Sequence, residues 1–409
     1  MTEAKLKKYA ELLVRVGGNV KAGQPVVISC DVENAILARF VQDYAYDAGA
    51  SEVIIDWTDD VSTRTRYFRA ASEVFDDFPD WRVDRFKYLD DKGTAYLRIE
   101  SSDPDLLNGV DPDRIRRFMM VSRKKAKEHG TRMMNNELRW SIIAVPSPKW
   151  ALKVFPNLDE DKAVEALWDA ILKGARADGD NPIADWEKHC KTFVSRIDYL
   201  NKKQFSALRF KNSLGTDVIV GLPKNHIWRG GGATSKDGVA FCPNLPTEEI
   251  FTAPDRNNVN GTVVASMPLS YQGSLIEDFS FTFKDGKVVD YKAKNGLEML
   301  KTIIETDEGA QYLGEVALVA NSSPISQMKV LFYNTLFDEN ASSHFALGKA
   351  YPSCVEGGNE MSEEELLKAG VNDSLTHADF MFGTADMSVI GIDADGNESV
   401  VMEHGELVF

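Results

Sequence analysis

The sequence predicts an α/β protein in two parts. The first is an N-terminal α/β domain on a parallel sheet, residues 1–200. The second is a strand-rich α+β domain, residues 201–409. Three observations predict this. Helix and strand signals alternate through the first half, the pattern of parallel βαβ units. From about Ser206 strands come in turn-linked pairs instead. A chain of 409 residues also exceeds what one core ordinarily organises.

Residues 3–16 place Leu6, Tyr9, Leu12, Leu13 and Val16 on one helical stripe. GQPVVISC then reads as a buried strand, NAILARFVQDYAYDAG as a helix stopped by Gly49, and SEVIIDW as a second buried strand. Helices are predicted in RIRRFMMVSRKKAKEHG and DKAVEALWDAILKGARA, a strand near RWSIIAVPS, and a closing helix in ADWEKHCKTFVSRIDYLNKKQ. The domain boundary is expected near 195–205. Beyond it, ALRFKNSLGTDVIVGL reads as two strands around a turn at Asn212–Gly215. Asp285-Gly286 and Asp395-Gly396 mark two further hairpins. NGLEMLKTIIET and SEEELLKAG are the intervening helices, the second with Ser362 as N-cap and Gly370 as stop.

Composition excludes several classes. A net charge of −16 argues against nucleic acid, whose phosphates need Lys and Arg. No apolar run is long enough to span a bilayer, and the charged amphipathic N-terminus lacks a signal-peptide apolar region, so a cytoplasmic protein with no membrane partner is expected. Cys30, Cys190, Cys242 and Cys354 form no CxxC pair, which disfavours a disulfide framework or a zinc knuckle. The acid excess is strongest late: from Tyr351 to Phe409 Lys368 is the one strongly basic residue. Acid-rich segments supply oxygen ligands to cations.

Common catalytic motifs fail. No GxGxxG follows the first strand. Gly18 and Gly23 have phosphate-loop spacing, but Gln24 stands where lysine is needed and the segment precedes the strand. Neither HExxH nor GxSxG is present.

Six histidines remain. His129 and His189 lie on polar helix segments and read as surface; His226 sits in a loop-like stretch and His404 in the last hairpin. His344 and His377 differ, being set among small or apolar residues with carboxylates close by. In LTHADFMFG, His377 and Asp379 are two apart and so share a strand face. In LFDENASSHFALGKAYP, Glu339 precedes His344 by five residues and Tyr351 follows it by seven, spacings that fit an irregular segment folded around a centre. Glu315 in YLGEVALVA alternates with Ala317 and Val319, facing inward, and Glu249 lies in the apolar setting PTEEIFTAP. An inward carboxylate costs several kcal/mol unless paired or metal-bound. Structural ion pairs are one reading of these residues. The other is a pair of divalent ions, roughly 3.5–4 Å apart, bridged by carboxylates and activating a hydroxide. Imidazole favours zinc, cobalt or manganese over magnesium or calcium.

Several strings bear on that choice. NLPTEEIFTAP, YLGEVALV, LFDENASSHFALGKAYP and NDSLTHADFMFG resemble, in order, the signature stretches of a metallo-aminopeptidase family that includes aminopeptidase T and aminopeptidase S. FKNSLGTDVIVGLP and RWSIIAVPSPKWA are similar to it as well, so the likeness spans most of the chain. The resemblance implies a dinuclear exopeptidase acting on peptides, usually a homodimer. It implies Glu249, Glu315, Glu339, His344, His377 and Asp379 as metal ligands, Glu315 bridging, with Glu315 and Tyr351 in catalysis. One position departs from the family pattern: Glu248 stands where glycine is expected, and Glu249, which directly precedes the apolar strand residues, is taken as the ligand. The alternatives to an aminopeptidase are a dinuclear hydrolase of another amide or ester and a non-enzymatic α/β binding protein.

Overall fold

The computed structural model of the chain describes residues 1–101, 103–271 and 274–409. It divides into two compact units: Met1–Glu187 with Gly232–Pro246, and Lys188–Gly231 with Thr247–Phe409. The return of Gly232–Pro246 to the first unit has no signature in the sequence pattern. Among the described residues no helix is long and apolar enough to cross a membrane.

The first unit is built on a five-stranded sheet in the order Asn244–Leu245, Trp140–Ala144, Ala95–Glu100, Pro25–Asp31, Glu52–Thr58, parallel throughout. Pro25–Asp31 lies between two neighbours, and its β-branched run Val26–Ile28 is buried, as strands covered on both faces require. Helix Ala35–Asp47 buries Leu37, Ala38, Val41 and Ala45, one stripe of an amphipathic helix. Two strands of this sheet escape the sequence reading. Ala95–Glu100 is a strand whose inward Ala95, Leu97 and Ile99 alternate with Tyr96, Arg98 and Glu100. Asn244–Leu245 is too short to register as a pattern; the adjoining backbone is tied in by Ser141 Oγ, which donates to the Cys242 carbonyl at 2.7 Å.

The second unit is built mainly on two antiparallel sheets, with a small two-stranded one, Leu269–Tyr271 and Ser274–Ile276, beside them. The larger has eight strands, in the order Lys287–Lys292, Ser280–Lys284, Val259–Val264, Asp217–Gly221, Ala207–Lys211, Ser388–Ile392, Glu398–Glu403, Glu406–Leu407. Both expected hairpins are in it. Asp285 and Gly286 each adopt positive φ at the first turn, and a Cβ on Gly286 would overlap the Arg256 carbonyl. Helix Glu363–Lys368 starts at Ser362 in a reciprocal capping box with Glu365, and Gly370 follows it at φ 88°.

The smaller sheet has five strands, in the order His377–Met381, His344–Gly348, Leu313–Val319, Glu249–Thr252, Arg229–Gly230. Its back face contributes Ile250, Val316, Leu318, Phe345, Leu347, Ala378 and Phe380 to a hydrophobic core shared with Leu208, Phe210, Val218, Val263, Phe281 and Val389 of the larger sheet. Phe345 is central there, edge-on to Phe210 at 5.2 Å and to Phe380 at 6.1 Å. One irregularity matters. Leu313 pairs with Leu347 but Glu315 pairs with Ala346, so the strand carries a bulge at Gly314. A Cβ on Gly314 would lie 2.3 Å from the Gly348 carbonyl oxygen, so only glycine fits there.

Phe345 holds the two sheets together. Phe345→Ala is expected to lower unfolding free energy by about 3–5 kcal/mol, read as a shifted urea midpoint in metal-free protein.

Candidate metal centre

Alternation places the site. In an antiparallel sheet directly paired residues share a face. Glu249 pairs with Val319 and Phe251 with Ala317; Ala317 pairs with His344, and Glu315 with Ala346. Ala346 pairs with Asp379, and Gly348 with His377. Glu249, Glu315, His344, His377 and Asp379 therefore project from one face, opposite the shared core. Ala317 and Ala346, both fully buried, leave room between the larger side chains.

The side chains meet. Nε2 of His344 lies 3.0 Å from Oε2 of Glu249 and 3.6 Å from Oε1 of Glu315. Nε2 of His377 lies 3.2 Å from Oδ1 of Asp379 and 3.8 Å from Oε2 of Glu315. Glu315 thus stands between two histidine–carboxylate pairs, one oxygen toward each. Ligand atoms of Glu249, Glu315 and His344 all lie within 4.8 Å of one another, close enough to share one cation.

Both imidazoles are oriented by the backbone. Nδ1–H of His344 donates to the Ser342 carbonyl at 3.1 Å, and Nδ1–H of His377 to the Lys349 carbonyl at 2.7 Å. With Nδ1 protonated, the neutral ring carries its lone pair on Nε2, aimed at the acids. Metal-binding histidines are held this way. Glu249 Oε2 and His344 Nε2 are buried without a hydrogen-bond partner. A lone pair facing a carboxylate at 3.0 Å needs a proton or a cation between them. The donor set fits a metal.

The remaining candidates come from segments flanking the sheet. Glu339 begins the turn Glu339–Ala341, directly after the short helix Thr335–Asp338 that Asn334 caps. Its carboxyl is pushed well above the usual range by burial, then by Glu249 and Asp379, so it belongs to the same charge cluster. Tyr351 lies three residues beyond the His344 strand. Its ring meets His377 edge-on at 5.9 Å and Phe251 at 5.7 Å. Burial, reinforced by Glu315 and Asp379, keeps its phenol protonated well beyond neutrality.

The protonation pattern follows from crowding. Burial, followed by the charge of Glu249, lifts Glu315 to about 7. Burial opposes charging His377, but Asp379 outweighs it and raises the imidazole to about 10. His344 is likewise raised, Glu249 and Glu315 overcoming burial. Asp379 is lowered, because His377 more than offsets its desolvation. Four carboxylates share this space with two imidazoles, an excess of negative charge that a bound cation would neutralise.

Several residues stand elsewhere than the sequence pattern suggests. The carboxyl of Glu248 lies toward His189, Oε1 3.7 Å from Nε2, and its backbone N–H donates to Oδ1 of Asn340 at 2.6 Å. His189 is not at the surface: it is buried, with Nε2 2.9 Å from the Thr247 carbonyl. The helix Pro182–Lys203 turns Trp186, His189 and Phe193 inward at helical spacing despite its charged composition. His129 is also partly enclosed, stacked on Phe86 and bonded to Asp90 at 2.9 Å. Asn340 escapes the sequence reading. Fully buried, it accepts from Glu248 and donates through Nδ2 to the Leu336 carbonyl at 2.9 Å and to Glu339 at 3.4 Å. It thereby ties the Glu249 segment to the Glu339 turn. Its position beside Glu339 is the one signal the sequence offers.

Comparison with known proteins identifies the family. The sequence model of the thermophilic metalloprotease (M29) family matches residues 2–407. Aminopeptidase AmpS of Bacillus subtilis (strain 168) is 42% identical over 405 residues, covering 99% of this chain and 98% of the relative. Aminopeptidase 2 of Geobacillus stearothermophilus is 44% identical over 407 residues, covering 100% and 98%. The solved structure of wild-type AmpT from Thermus thermophilus superposes with a TM-score of 0.93 at 39% identity, covering 100% of both chains. With one sequence model spanning nearly its whole length and relatives this similar from end to end, the chain belongs to the thermophilic metalloprotease (M29) family and is a metal-dependent peptide hydrolase.

Proposed function

We propose that the chain is an aminopeptidase that hydrolyses the N-terminal bond of peptides, with Glu249, Glu315, Glu339, His344, His377 and Asp379 holding two divalent ions. The observation that carries the two-ion reading is Glu315. Its oxygens lie 3.6 Å and 3.8 Å from two different imidazole nitrogens, each of which has an acid partner of its own. That is the disposition a bridging carboxylate needs. The mixed nitrogen and oxygen donors suit zinc, cobalt or manganese. Bound ions supply Lewis acidity, which acidifies water and polarises the scissile carbonyl.

The protein's side chains do the rest. A carboxylate of the cluster, Glu315 or a neighbour with an oxygen free of the ions, takes the proton of the attacking water and returns it to the leaving amine. The Tyr351 hydroxyl, kept protonated by burial, donates to the oxyanion that develops on the attacked carbonyl. The carboxylates bind the free α-amine of the substrate, so cleavage is confined to chain ends. The work is assigned to the second unit, because every residue named belongs to it. The reading includes a cytoplasmic homodimer, which rests on the family likeness; sedimentation at twice the 45.5 kDa chain mass tests it.

Chelation should abolish hydrolysis of aminoacyl anilides, and zinc, cobalt or manganese should restore it. Metal analysis of active protein should give two ions per chain; a single ion would refute the bridging role of Glu315. His344→Ala and His377→Ala should each lose one ion and cut kcat/KM by more than the roughly 10–100-fold that weakened support of a ligand produces, with the far-ultraviolet dichroism of the folded chain retained. Tyr351→Phe should lower kcat by about 10²–10³, as loss of one oxyanion donor does, with metal content unchanged. An unaffected kcat would remove Tyr351 from the mechanism.

A further inference from the structure

The face that presents the acids ends in an apolar wall. Phe251 follows Glu249 by two residues on the same strand, and its register opposite Ala317 puts it on the face of Glu315. Phe251, Tyr351 and Met361 are only partly buried, seated on a small cluster around Cys354, Val355 and Leu366. The Phe251 ring lies 5.7 Å from that of Tyr351, which itself abuts His377 at 5.9 Å. An aromatic surface therefore runs without interruption from the acid cluster outward, and part of it stays open.

We infer that Phe251, flanked by Tyr351, receives the side chain of the substrate's N-terminal residue and selects large apolar residues there. The inference rests on the aminopeptidase reading. The α-amine of a bound peptide belongs with the carboxylates. The first side chain branches from the carbon that bears this amine, so it is the side chain held nearest the acids. Ala317 and Ala346 are too short to supply a wall, and Val319 and Met381, which the register puts on the same face, are buried; Phe251 and Tyr351 are the partly exposed apolar surface beside that point. An aliphatic or aromatic side chain laid on Phe251 loses water from both surfaces. A carboxylate there would be desolvated without a partner and repelled by Glu249.

The test is a panel of glycyl, alanyl, leucyl, phenylalanyl and glutamyl anilides with metal-loaded enzyme. Wild type should cleave the leucyl and phenylalanyl compounds at least about tenfold more efficiently than the alanyl one, the discrimination an apolar pocket gives for a few methylenes. Phe251→Ala should reduce the leucyl-to-alanyl ratio of kcat/KM about tenfold, mainly through KM, and Phe251→Leu should restore most of it. Should Phe251→Ala fail to fold, Phe251→Val reads the same ratio with a smaller loss of volume and should lower it to an intermediate degree. A wild type without preference, or a variant that slows every substrate by one common factor, overturns the assignment of the wall. A wild type that cleaves none of the panel removes the aminopeptidase reading and this inference with it.

Discussion

Burying Ile250, Val316, Phe345 and Phe380 against the eight-stranded sheet obliges Glu249, Glu315, His344 and Asp379 to face the other way. Strand side chains alternate, so a residue that anchors the core also dictates where its neighbours point. A slip of one position in any of these strands would trade an apolar side chain for a polar one in the core. The hydrophobic effect, acting on the back of the sheet, is thus what aims the polar groups on the front.

The arrangement is costly for the metal-free protein. Glu315 is 4% exposed and His344 1%, and four carboxylates share one buried space. Desolvating charges of like sign costs several kcal/mol each unless opposite charge enters. Two imidazoles supply part of the compensation, with Nδ1 of each committed to a backbone carbonyl. What remains is a cluster whose most favourable partner is a small, highly charged cation. Fold stability and cofactor affinity are therefore coupled: the packing that crowds these acids strengthens their hold on an ion.

Much of this can be read from the chain before folding. His377 and Asp379 share a face because the strand period is two, and Glu315 faces inward by the same rule. Asp285-Gly286 announces a hairpin because positive φ at both positions suits few residue pairs. The parts that could not be read fail for physical reasons. Arg98 and Glu100 make Ala95–Glu100 look polar, although a sheet strand needs only alternate residues inside. His189 looks exposed when composition is weighed, but its spacing from Trp186 and Phe193 puts it on the buried stripe. Asn340 reads as loop, because a buried amide is justified only by partners distant in sequence. The nearness of Glu339 and Tyr351 to the cluster depends on how two irregular segments fold back, and no periodicity encodes that.

Gly314 separates two kinds of change that are usually lumped together. The bulge inserts one residue between Leu313, which faces the core, and Glu315, which faces the acids. Excising Gly314 would leave a regular strand in which both neighbours keep their present faces, so the phase of the sequence survives the loss. Giving Gly314 a side chain would preserve the length but drive a carbon into the Gly348 and Lys349 carbonyls, the second of which orients the His377 imidazole. At this position the chain is more tolerant of a missing residue than of an added methyl group.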